Sequence, residues 1–137
     1  MREILFRGKR KDNSEWVYGN YAVTDNNGKQ HFIFQNKAFE FDVVPETVGQ
    51  YTGITDDNGK KIFEGDILGI TNDDPDYDYI TKVYLDCDTL CVDVQGQDYD
   101  YTSIGFAIEI WNDECDQVEV IGNIYDNPEL LEVRNDL

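Results

Sequence analysis

The stretch TGITDDNGKKIFEGDILGI, Thr52–Ile70, decides the fold. Its glycines, lysine pair and acidic residues resemble a phosphate or metal loop, yet the context argues for a turn. A phosphate cradle needs glycines that lead into a helix whose first turn carries Lys and Ser or Thr. Here Lys60 and Lys61 lead into IFEGDI, a strand-compatible run. A calcium loop needs acidic side chains at alternate positions, a glycine and a distant glutamate, and DDNG supplies only its beginning. Asn58-Gly59 flanked by QYTGIT and KKIFEGDIL is a β-hairpin signal, read as a type I′ turn because Asn and Gly tolerate positive φ.

The same chemistry recurs in TDNNGK (Thr24–Lys29), which echoes TDDNGK (Thr55–Lys60) without extending into a repeat. Around these turns, runs of alternating polarity predict half-buried strands. In FEFDVV, Phe39, Phe41 and Val43 oppose Glu40 and Asp42; in YITKVYL, Tyr79, Thr81, Val83 and Leu85 oppose Lys82. LCVDV sets Leu90, Val92 and Val94 against Cys91 and Asp93, and VEVIGNIY sets Val118, Val120 and Ile124 against Glu119 and Asn123. EWVYGNYAV and QHFIF are strand-like in residue type. Tyr101–Trp111, YTSIGFAIEIW, is read as a strand, and Thr71–Asp78, broken by Pro75, as a loop. A short C-terminal helix is expected where Asn127 caps, Pro128 occupies the first position and ELLEV follows. The expectation is one mainly β domain over residues 1–137, with NG hairpins and that helix.

The formal charge of -18 is unevenly spread. Met1–Phe63 holds nine basic and nine acidic residues, whereas Glu64–Leu137 holds two basic and twenty acidic. Such a balance opposes direct nucleic-acid binding, which needs Lys and Arg on phosphates, and opposes anionic membranes. It suits a basic protein partner. Cys87, Cys91 and Cys115 form no CxxC pair, which fits neither a disulfide framework nor structural zinc. With no secretory leader pattern and no apolar run of membrane-spanning length, a cytoplasmic protein is expected.

Three motifs carry a family resemblance. GQYTGITDDNGKKIFEGDI (Gly49–Ile67) with VVPETVG just upstream, REILFRGK (Arg2–Lys9) and VIGNIYDNPELL (Val120–Leu131) resemble, in order, the motifs of the YopX family of phage and prophage proteins. The resemblance implies a small β domain with a barrel-like antiparallel sheet, in a bacterial host that is infected or lysogenic. It carries no assigned activity, so it implies no catalytic residue, cofactor or metal. The motif residues Tyr51, Gly53, Asn58, Gly59, Lys60, Glu64, Gly65, Asp66, Gly122, Asn123, Asn127 and Pro128 are read as structural. Thr71–Gln117 shows no family motif.

The candidate interaction surface lies in that region: Asp73, Asp74, Asp76 and Asp78; Asp98 and Asp100; Asp113, Glu114 and Asp116. The plain reading is a set of solvated loops. The functional one is an acidic surface, interleaved with Tyr77, Tyr79, Tyr99, Tyr101 and Trp111, that binds a host or phage protein. In its sharpest form the surface imitates nucleic acid and inhibits a basic host protein. A structural or regulatory homo-oligomer is a third reading. The enzyme reading, a metal-dependent phosphoesterase, needs Glu64 and Asp66 on one strand face with Asp113 or Glu114. His31 is expected to be structural, and Asp86, Asp88 and Asp93 to keep Cys87 and Cys91 unreactive. Arg7, Lys9, Arg10 and Lys11 should pair with acidic residues of this chain or a neighbouring subunit.

Overall fold

A computed structural model describes residues 3–25, 28–36, 39–95 and 100–132. Its strands fall into two compact units, Met1–Gly53 and Ile54–Leu137. The first contains β1 (Phe6–Lys9), β2 (Trp16–Thr24), β3 (Gln30–Asn36), β4 (Phe39–Asp42) and most of β5 (Gly49–Thr55). Their order across the sheet is β4-β3-β2-β1-β5, with neighbouring strands antiparallel. Alternation works here as expected: Val17, Ile33 and Val43 are buried, with Phe6, Tyr21, Phe41 and Val48 packed on them. Phe39, at the outer edge, is exposed.

The second unit holds β6 (Lys61–Phe63), β7 (Asp66–Thr71), β8 (Tyr79–Lys82), β9 (Tyr84–Asp86), β10 (Thr89–Asp93), β11 (Tyr101–Ser103), α1 (Ile104–Asp113), β12 (Gln117–Asn123) and α2 (Glu129–Glu132). Strands β7 to β12 form two antiparallel sheets, ordered β12-β7-β8 and β11-β10-β9. The larger core sits here, where Ile62, Leu68, Ile70, Val83, Val92, Ala107, Trp111 and Val118 are all buried. The fold is therefore mainly antiparallel β with a short C-terminal helix, as expected. Its barrel-like character is loose, because no sheet among the described residues closes on itself. All of the net charge lies in this unit. The sequence gives Met1–Gly53 seven basic and seven acidic residues, and Ile54–Leu137 four and twenty-two.

Two local expectations are corrected. Tyr101–Trp111 is a strand only as far as Ser103; from Ile104 it is α1. Ser103 Oγ accepts a hydrogen bond from the Phe106 amide at 3.3 Å, capping the helix. The buried residues Ile104, Ala107 and Trp111 follow a helical rather than a two-residue period. A strand would have buried Phe106 and exposed Ala107, and the reverse is seen: Phe106 is 47% exposed and Ala107 is 0%.

The second correction concerns the turn at Asn58-Gly59. Only Gly59 has positive φ (82°), the Gly59 amide bonds to the Asp56 carbonyl at 3.0 Å, and the Asp56 amide bonds to the Lys60 carbonyl at 2.8 Å. This is a three-residue loop, a type I turn followed by a left-handed glycine, instead of the two-residue type I′ turn. The type I′ pattern falls instead on Cys87-Asp88, between β9 and β10, with φ of 48° and 64°. Of the earlier NG turn, Asn26 and Asn27 lie outside the described residues; Gly28 has φ 89°, and β2 pairs with β3 on either side.

Candidate functional site: an acidic concavity

Between β7 and β8 the chain makes a polar loop whose shape comes from its own side chains. Asn72 Oδ1 accepts from the Asp74 amide at 2.9 Å and Asp74 Oδ1 from the Asp76 amide at 3.0 Å. Asp78 Oδ1 closes the loop on the Asn72 amide at 2.9 Å. Pro75 opens a single 3-10 turn, Pro75–Tyr77. Asp and Asn favour such side-chain-to-amide turns, so the acidic composition builds the loop as well as charging it.

The end of α1 supplies the second wall. Cys115 sits in the left-handed region at φ 60°, its amide bonded to the Asn112 carbonyl at 3.2 Å, and the Asp116 amide reaches the Trp111 carbonyl at 2.8 Å. That is a Schellman ending with cysteine where glycine is usual. It brings Glu114 and Asp116 to the same concavity as Asp73 and Asp74, about 480 Å³ in volume and also lined by Asn72, Gln95 and the rings of Tyr77 and Tyr79. Trp111 Nε1 donates to Tyr79 Oη at 2.7 Å, which fixes the buried ring.

The electrostatics follow from this gathering. Burial, then the neighbouring Glu114 charge, and further out Asp78 and Asp73, push the Asp116 carboxyl above its ordinary value. Burial likewise raises the Tyr79 phenol; Asp116 and Glu114 add to this, while bonds from Trp111 and the Gln95 amide oppose it. The concavity is a place of crowded negative charge beside aromatic surface.

Four of the nine acidic positions named from sequence, Asp73, Asp74, Glu114 and Asp116, line the concavity. Asp76 and Asp113 are exposed away from its lining, Asp78 is bonded within the loop, and Asp100 is exposed beside β11. Asp98 lies outside the described residues, as does Tyr99.

Several of the motif residues lie at turns or in backbone contacts. Tyr51 is buried, with its amide on the Leu5 carbonyl at 2.8 Å. Gly53 and Gly65 have φ of 86° and 92°. The Lys60 amide donates to Asp56 Oδ1 at 2.9 Å. A side chain at Gly122 would put Cβ 2.5 Å from Asn127 Oδ1, the atom that accepts from the Asn123 amide. Asn123 Oδ1 in turn accepts from the Tyr125 and Asp126 amides. The Leu131 amide bonds to the Pro128 carbonyl at 3.1 Å, starting α2.

The proposed phosphoesterase pair does not form on a strand face. Glu64 and Gly65 make the turn between β6 and β7, while Asp66 is 2% exposed and its Oδ2 accepts from the Phe63 amide at 2.7 Å. Among the described residues no three His, Cys, Asp or Glu side chains are grouped to hold a metal ion. His31 Nδ1 lies 2.6 Å from Tyr21 Oη on the neighbouring strand, a structural contact. Burial, aided by Asp86, raises the Cys91 thiol and holds it protonated. Arg10 pairs with Asp12 and Lys11 with Asp42 at 3.7 Å, both within the chain. Arg7 and Lys9 lie over the Trp16 ring, 4.7 and 5.6 Å from its centre.

Sequence reasoning missed two carboxylates. Asp56 is 6% exposed and receives the amides of Asn58, Lys60 and Val120, while Asp57 Oδ2 receives that of Val118 at 2.7 Å. An Asp just before a tight turn was a local signal for the first two bonds. No local signal pointed to β12.

The family model for YopX protein matches residues 5–132. The SPbeta prophage-derived uncharacterized protein YopX of Bacillus subtilis (strain 168) is 38% identical over 76 residues, 54% of this chain and 52% of that protein. That match spans about half the length of the relative. The crystal structure of protein yopX from Bacillus subtilis superposes with a TM-score of 0.57 at 25% identity, over 92% of this chain and 96% of that one. No helix among the described residues is long and apolar enough to cross a membrane.

Proposed function

The chain belongs to the YopX family, and from that premise we propose that it is a phage or prophage accessory protein acting by non-catalytic protein binding. Its contact surface is the acidic concavity, and its partner is a basic segment of a host or phage protein in the cytoplasm of the bacterium. The supporting observation is the meeting of Asp73 and Asp74 with Glu114 and Asp116 around Tyr77 and Tyr79. A carboxyl raised by burial and by its neighbours' charge, as Asp116 is, gains from an added cation, and tyrosine faces attract lysine and arginine as well. Tyr77 is 70% exposed and available for such a contact. The carboxylate of Asp66, which an enzyme reading would need, is committed to the Phe63 amide across the β6–β7 turn instead.

The test is capture from a bacterial lysate by the tagged protein and by the variant Asp73→Asn/Asp74→Asn/Glu114→Gln/Asp116→Asn. A basic protein held by the first, released by 0.5 M salt and not held by the second supports the reading, since exposed charge pairs fade as screening rises. A partner retained equally by both, or indifferent to salt, sinks it.

A further inference from the structure

Among the described residues β12 is the outermost strand of its sheet, with β7 as its paired neighbour. Alternate amides of such a strand point away from the sheet and invite another chain. Here three of the outward groups, the Val118 amide and carbonyl and the Val120 amide, are already occupied by the turn at Asp56–Lys60. Asp57 Oδ2 accepts from the Val118 amide at 2.7 Å, and the Asp57 amide donates to the Val118 carbonyl at 3.1 Å. One step along, Asp56 Oδ2 accepts from the Val120 amide at 2.9 Å. The other oxygen of Asp56, Oδ1, gathers the Asn58 and Lys60 amides of its own turn. One carboxylate thus shapes the turn and grips a strand 64 residues away. The tip itself is open, since a Cβ at Gly59 would meet nothing within 4 Å.

We propose that the Asp56–Lys60 turn is a detachable strap over the β12 edge, releasing without unfolding the sheet beneath and, while fastened, withholding that edge from pairing with a second copy of the chain. The strap imitates a neighbouring strand at two consecutive outward positions, but its acceptors are side-chain oxygens, which rotate away more readily than a paired backbone. The inward amides are held differently. Glu119 lies opposite Gly69 of β7, so by alternation its amide belongs to the sheet and not to the strap.

That difference supplies the test, amide hydrogen exchange read residue by residue. In the unmodified protein under mild denaturant, Val118 and Val120 should exchange together through an opening that leaves Glu119 protected. Asp57→Ala, which spares the turn-building Asp56, should speed Val118 exchange at least tenfold while Glu119 is unchanged. Val118 left unchanged in the variant, or Glu119 exchanging in step with Val118 in either protein, overturns the strap. Sedimentation of the variant in 0.5 M salt, which screens the self-repulsion of this acidic chain, tests the shielding. Its mass should rise with concentration where the unmodified protein's does not, and a constant monomer mass in a variant with opened amides overturns that part.

Discussion

Cys115→Gly should stabilise this protein, although it removes a side chain. Cys115 has φ 60° at the position just past α1 where the Schellman ending requires a left-handed residue. For a residue with a Cβ that conformation costs roughly 1–2 kcal/mol, and glycine avoids the cost. Glycine also loses more freedom on folding, a penalty of roughly 0.5–1 kcal/mol. The difference leaves a net gain on the order of 0.5–1 kcal/mol, or about 2–4 °C in Tm for a chain of this size. Thermal melts followed by circular dichroism measure it, with Cys115→Ala as the control because alanine keeps the Cβ and removes only sulfur. The thiol is exposed, so its loss should matter little. A gain equal in both variants would mean that the sulfur, not the backbone, is the source. No gain with glycine would refute the strain argument outright.

Three further outcomes follow from the geometry. Asp116→Asn should raise Tm at pH 7 and not at pH 3: the folded carboxyl lies above its ordinary value, so the stability it offers is complete below the unfolded pKa and lost as pH rises through the folded one. A melt series from pH 3 to 7 reads this, and equal gains at both ends would contradict it. Asp56 has the opposite sign. Burial alone would raise its carboxyl, but the Val120, Lys60 and Asn58 amides and the Lys60 charge together hold it below the usual range, so its contribution is present above the unfolded value and lost on acidification through the folded one; Asp56→Asn should flatten the acid limb of the stability profile. Gly19→Ala would place Cβ 2.5 Å from the Phe34 carbonyl oxygen, a backbone atom that cannot swing aside, and should cost about 1–3 kcal/mol in urea denaturation.

The strands were legible because their alternation is local, and Val43 and Val92 are buried as the pattern assigned. The faces were less so, since Cys91, set against Val92, is buried too, and Leu85, set with Val83, is 52% exposed. The C-terminal helix was as legible as the strands, since Asn-Pro followed by ELL is a complete start signal within five residues. Its cap was not: α2 begins at Glu129, and Asn127 Oδ1 accepts from the Asn123 amide instead of a helix amide. Turn type was less so. Asn58-Gly59 permits either a two- or a three-residue loop, and the Asp56–Lys60 pairing selects the second. Conversely, nothing about Cys87-Asp88 suggests two left-handed residues; the register of β9 on β10 imposes them. In α1 the helical spacing of Ile104, Ala107 and Trp111 competed with an apolar alternation that included Phe106, and only the neighbouring core decides between them. The acidic positions were all visible as composition. Which of them meet was not, because Asp73 and Asp116 are 43 positions apart along the chain and come together through the ending of α1. The same holds for Asp56, whose most distant partner, Val120, is chosen by the fold alone.

The chain has two tryptophans, and they lie one in each unit. Trp111 is 1% exposed with its indole nitrogen on the Tyr79 hydroxyl, while Trp16 is only partly buried and has the cations of Arg7 and Lys9 over its ring. Their fluorescence should therefore differ in colour and in quenching, with Trp111 emitting as a dry indole and Trp16 as a wetter one. Replacing either by phenylalanine leaves a single lamp in a known half of the molecule. Unfolding watched through each lamp in turn then tells whether the neutral half and the acidic half melt as one cooperative body or as two.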